Sequence, residues 1–148
     1  MLRSSLEDSK PVNGNKLRLT LTEGGMILYW IFASLVALDV LMVAPEYMYS
    51  DYTNPTMVAR NWSFLPIDAL FAVAGLYGRF GKTGGLGRNI LSTFSQSLML
   101  CAGVMAISFW IVVGSFDPFW WSMNLWLVAL ASWALLKTYR TRGRFIAD

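Results

Sequence analysis

Four apolar stretches separated by polar segments dominate the chain from Gly24 onward. The first reads Gly24–Ala44, bounded by Glu23 and Pro45. As a helix it would reach about 31 Å at ~1.5 Å per residue, enough to cross a hydrocarbon core of about 30 Å. Its start carries Thr20-Leu21-Thr22-Glu23, the spacing of a capping box that satisfies free backbone donors. Pro45 marks its end. The second stretch runs from about Trp62 to Tyr77, with Pro66 near its start, where a first helical turn tolerates proline. The third runs from about Ile90 to Val113, and the fourth from Pro118 to Leu136. Asp117-Pro118 opens the fourth with an acid at the cap and proline at the first helical position. The pattern predicts an all-α polytopic membrane protein, an up-down-up-down bundle of four transmembrane helices.

Charge gives the bundle a direction. The N-terminal tail holds Arg3, Lys10, Lys16 and Arg18, the second connection Arg79, Lys82 and Arg88, and the C-terminal tail Lys137, Arg140, Arg142 and Arg144. Only Arg60 lies in the first connection, and the third has no base. Lys and Arg collect on the cytoplasmic side of membrane spans, so both termini are expected in the cytoplasm. The domain organisation expected is a disordered basic tail over residues 1–19, a membrane domain over 20–137, and a basic tail over 138–148. The first connection, Pro45 to Asn61, reads as a structured outer cap with a short interfacial helix.

Composition narrows the chemistry. Of 148 residues 55% are hydrophobic and 14% charged, against about 25% charged in a soluble domain. The net charge of +3 is explained by bases flanking spans, so no nucleic-acid partner is expected. With one cysteine, Cys101, no internal disulfide can form, and with no histidine a zinc site loses its commonest ligand. No metal and no cofactor are expected. The polar first twenty residues and the long apolar stretch after them do not read as a signal peptide.

Polar residues inside the apolar stretches mark where a site would sit. Asp39 lies six residues before Pro45, and Asp68 six after Trp62. On antiparallel helices these offsets put both carboxylates about 9 Å inside the outer interface. Ser108, six before Gly114, and Asn124, six after Pro118, fall in the same layer. An intramembrane acid costs about 2.5–3.5 kcal/mol on insertion scales and by default faces a bundle interior or water. Asp39, Asp68, Ser108 and Asn124 are therefore candidate ligand-binding residues, with Glu46, Arg60 and Trp62 at the mouth. The same residues could instead be hydrogen-bonding glue between helices. Ser92, Ser95 and Ser97 on the third stretch read as packing positions. Gly81-Lys82-Thr83-Gly84-Gly85 lacks the first glycine of a phosphate loop and follows a helix rather than a strand, so it reads as a cytoplasmic turn.

Asn61-Trp62-Ser63-Phe64-Leu65-Pro66-Ile67-Asp68 resembles the YvaD-type family of bacterial four-span membrane proteins. Pro45-Glu46, Ala106-Ile107-Ser108-Phe109-Trp110 and Asp117-x-x-Trp120-Trp121-x-x-Asn124 fit the same pattern, over roughly residues 25–137. The resemblance implies the fold and a bacterial plasma (inner) membrane; it implies no activity. Small multidrug exporters match poorly, since the acid here is an aspartate near the outer end and no glutamate is placed within a stretch. The function expected is non-enzymatic: binding, or helping to move, a small amphipathic or cationic molecule through an outward-facing polar pocket. The alternatives are an accessory subunit packed on a membrane partner, and a membrane enzyme using an aspartate pair on a lipid-soluble substrate. A homo-oligomer is compatible with each.

Overall fold

The computed structural model describes residues 14–44 and 53–144, with side chains to residue 141. Among the described residues there are five α-helices and no strand: α1 (Gly14–Ala37), α2 (Pro55–Ser63), α3 (Leu65–Phe80), α4 (Gly85–Val113) and α5 (Pro118–Arg144). Three of these are long and apolar enough to cross a membrane: α1, α4 and the Pro118–Thr141 part of α5. The chain is thus an all-helical protein built for contact with a lipid bilayer. Of the N-terminal tail expected to be disordered, residues 1–13 lie outside those described, and residues 14–19 instead form the start of α1.

Local chemistry explains most helix ends, and several differ from expectation. Trp62 belongs to α2 and α3 starts at Leu65, α4 starts at Gly85 rather than Ile90, and α5 runs past Leu136 to Arg144. Both ends of α1 are displaced as well. α1 begins at Gly14, ten residues before Gly24, and stops at Ala37 instead of running to Pro45. It stops because Asp39 adopts a left-handed backbone, φ 57°, one that aspartate tolerates better than bulkier residues. The turn lets the amides of Val40 and Leu41 reach back to the Leu35 carbonyl at 2.9 and 3.2 Å. The capping-box spacing at Thr20–Glu23 marks no helix start, because those residues sit in the interior of α1.

The other ends follow the residues. α2 is the short helix expected in the first connection, with Pro55 in its first turn and the Asn54 side chain accepting from the Thr56 amide at 3.0 Å. Phe64 keeps helical dihedrals between α2 and α3, so the chain continues from one into the other with little interruption. α4 closes on Gly114 at φ 70°, which turns the amides of Gly114 and Ser115 onto the carbonyls of Ile111 and Trp110. Asp117 caps α5, its Oδ1 accepting from the amides of Phe119 and Trp120 at 3.0 and 3.1 Å.

α3 lies between α1 and α4, α4 also packs on α5, and α1 meets α5 only lightly. Cross-helix contacts give the directions. Trp30 meets Asp68 while Glu23 meets Arg79, so α1 and α3 are antiparallel. Phe71 meets Ser95 and Gly78 meets Leu91, so α3 and α4 are antiparallel too. Gly103 accommodates Val128 and the Asn124 carbonyl, which lets α4 and α5 approach closely. The core is apolar: Leu19, Phe71, Met99, Leu127 and Leu130, with small residues Ala72, Ala102, Ala131 and Ala134 filling the spaces between helices. Tyr29, Trp30, Trp62, Trp110 and Trp120 gather where α3 begins, the aromatic end; Lys16, Arg79, Lys82 and Arg88 lie toward the other, the basic end.

Candidate functional site

Asp68 stands in the first turn of α3 and is 6% exposed. Its Oδ2 accepts from the Trp30 indole Nε1 at 3.0 Å, a buried hydrogen bond between α3 and α1. The Trp30 ring packs edge-on against Tyr29 at 5.1 Å and tilted against Trp62 at 5.5 Å. Tyr29 in turn meets Trp120 of α5 at 6.0 Å and exchanges a 3.4 Å contact with the Asn61 side chain. A carboxylate is therefore sunk behind a wall of aromatic rings contributed by α1, α2 and α5.

Arg60, at the end of α2, could have neutralised that carboxylate but spends its charge elsewhere. Its guanidinium lies 3.7 Å from the Phe109 ring centre, 4.9 Å from Trp110 and 5.3 Å from Phe64. The ring faces offset part of the hydration that the guanidinium loses on burial. Among the described residues no ion pair joins Arg60 to Asp68.

The expected four-residue layer does not assemble. Asp39 is exposed in the turn beyond α1, and no hydrogen bond or ion pair links it to Asp68. Ser108 is exposed on the outer side of α4. Asn124 is half-buried at the α4–α5 contact, but its Nδ2 donates to the Trp120 carbonyl of its own helix at 2.8 Å. Trp62 does join Asp68, through Trp30, and Glu46 lies outside the described residues. Equal depth was legible; which way each side chain turns about its helix axis was not. Carboxylate infrared spectra should show the Asp68 band unmoved by Asp39→Asn, and a displaced band would put the two acids in one pocket.

A second polar cluster, toward the basic end, was not anticipated. Glu23, in the interior of α1, is fully buried and forms an ion pair with Arg79 of α3, whose side chain is also largely buried. Ser95 of α4 sits beneath it, its hydroxyl 3.2 Å from Glu23 Oε1 and 2.8 Å from the Phe71 carbonyl. A side chain at Gly75 would overlap the Glu23 carboxylate, so the glycine is the floor of its berth. A glutamate does therefore lie within the apolar helices. One signal could have found it: Glu23 and Trp30 are two turns apart on α1, as are Asp68 and Gly75 on α3, so both acids belong to one seam. Next to this cluster Gln96 is buried on α4, its Nε2 donating to Ser92 Oγ at 3.0 Å.

The chain belongs to a family of unknown function, DUF5360, whose sequence profile matches residues 15–143. It is similar to the uncharacterized protein YvaD of Bacillus subtilis (strain 168), 32% identical over 114 residues, 76% of this chain and 82% of that one. The expected family resemblance is thus correct, and it reaches further toward the N-terminus than residue 25, taking in Glu23. No solved structure matches the chain.

Proposed function

We propose that this member of a family without assigned activity is a four-span protein of the bacterial plasma membrane that binds, or helps to move, a small amphipathic cation at Asp68. The fourth span is α3. Its sixteen residues cover only about 24 Å, but the helical path through Phe64 into α2 extends it. It also lies antiparallel between α1 and α4, both long enough to cross, which supports a crossing of its own. Lys16, Arg18, Arg79, Lys82, Arg88, Lys137 and Arg140 lie at one end and Arg60 at the other, which supports cytoplasmic termini. The Bacillus relative supports a bacterial membrane.

One observation carries the binding reading. Asp68 is a buried carboxylate whose side-chain partner is a neutral indole, while the nearest helix's arginine is engaged with rings. In a low-dielectric setting such a charge attracts a cation strongly, and the packed rings of Trp30 and Trp62 make its surroundings aromatic, as quaternary ammonium groups prefer. The enzyme alternative lacks its acid–base pair, since Asp39 stays apart from Asp68.

Asp68→Asn tests this cleanly, because asparagine can still accept from the Trp30 indole and removes only the charge. Decyltrimethylammonium binding to the protein in nanodiscs, followed by tryptophan fluorescence, should weaken at least tenfold, about 1.4 kcal/mol. Thermal unfolding should change little. Unaltered affinity in the variant would sink the proposal.

A further inference from the structure

Between α1 and α3, outside the core, runs a groove of about 420 Å³ walled by Met26, Trp30, Ile31 and Leu35 on one side and Ala69 and Val73 on the other. That size lies within the range of about 300–1,000 Å³ usual for small-molecule sites. Its walls offer almost no hydrogen bonding. The one hydroxyl there, Ser34 Oγ, already donates to the Trp30 carbonyl at 2.7 Å. Whatever fills the groove is therefore apolar along its length. Ile31 and Val73, at 52% and 59% exposure, face away from the other helices, so the groove opens sideways toward lipid rather than toward water. From Met26 to Leu35 it follows α1 for about 13 Å.

One residue joins this groove to the site at Asp68. The Trp30 indole forms part of the groove wall and, through Nε1, holds the Asp68 carboxylate. Ala69 and Val73, on the opposite wall, follow Asp68 on the same helix. Resting on the reading of Asp68 as a cation site, we infer that the groove holds the alkyl chain of a single-chain amphipathic cation. Its head meets Asp68 and its entry is lateral, from the outer leaflet. The charge selects this occupant over the surrounding phospholipid, because a phospholipid chain seated here would bring its phosphate toward a buried carboxylate. The α1–α3 seam thus sorts its ligand twice, by an apolar tail along the groove and by positive charge behind Trp30, midway along it.

The test uses decyltrimethylammonium bearing a photoreactive diazirine at mid-chain, with the full chain in nanodiscs and peptide mapping by mass spectrometry. Labelling should concentrate on residues 26–35 and 69–73, and Asp68→Asn should remove that concentration. Val73→Trp, on an exposed position, should fill the groove and abolish the labelling while leaving tetramethylammonium binding unchanged. Even labelling across α4 and α5 as well would mean an ordinary lipid-facing surface and overturn the groove assignment. If binding still requires Asp68 but the label lies outside the groove, the groove inference fails and the cation site stands. If Asp68→Asn changes neither binding nor labelling, the cation site itself fails, and the inference with it.

Discussion

Arg79→Met should destabilise the protein by about 3–5 kcal/mol, the usual cost of stranding one charge of a buried pair. Glu23 is fully buried in the interior of α1, and its carboxylate faces Arg79 and Ser95 with no route to water. Removing the guanidinium leaves a charge that a single serine hydroxyl cannot compensate. Glu23→Gln should cost less. Arg79 is the penultimate residue of α3, and its long stem can swing the guanidinium toward the headgroups at the basic end. The double variant Glu23→Gln/Arg79→Met should recover most of the loss, since it removes both charges and keeps an acceptor for Ser95. Detergent-induced unfolding in mixed micelles, read by tryptophan fluorescence, measures all three. Additive losses in the double variant would mean that the two residues act separately, and that the buried pair does not hold α1 to α3.

The ion pair also shows where sequence reading runs out. Asp117-Pro118 and Gly114 are local signals, set by the backbone groups of their own turns, and both ends of that connection lie where they indicate. Thr20–Glu23 is a local signal of the same kind, yet α1 already runs through it from Gly14, and Glu23 meets Arg79 of another helix instead of closing a cap. Arg79 reads from sequence as a base of a cytoplasmic connection, because nothing near it in the chain indicates an acid within reach. Asp39 shows the reverse error. An acid inside an apolar run reads as an intramembrane charge, but aspartate also tolerates the left-handed backbone, and here it ends the helix. The depth of Asp68 is legible in its offset from Trp62, but its burial is not, since Asp39 and Ser108 share the expected depth and are exposed. Its partner Trp30 is not legible either, because indole direction depends on helix rotation, which an all-round apolar helix leaves unmarked.

Gly75→Ala should reverse sign with the residue at position 23. In an unobstructed helix the change is favourable by about 1 kcal/mol, because alanine loses less backbone freedom on folding than glycine. Here the new methyl group would occupy the space of the Glu23 carboxylate. A free glutamate would swing aside at little cost, but this one is held by Ser95 and Arg79 and has no solvent to enter. The methyl group must therefore break the ion pair or push α1 away from α3, and overpacking of that kind costs about 1–3 kcal/mol before any loss of the pair is counted. The steric term outweighs propensity, and Gly75→Ala should be clearly destabilising in the wild-type background. Glu23→Gln keeps the same volume, so the clash should persist there. Glu23→Ala empties the berth, and relative to that variant Gly75→Ala should be neutral or stabilising. The same unfolding assay reads each pair. A Gly75→Ala effect of one sign and size in all three backgrounds would show that the glycine answers to something other than the carboxylate, and that α1 and α3 are brought together by their apolar faces alone.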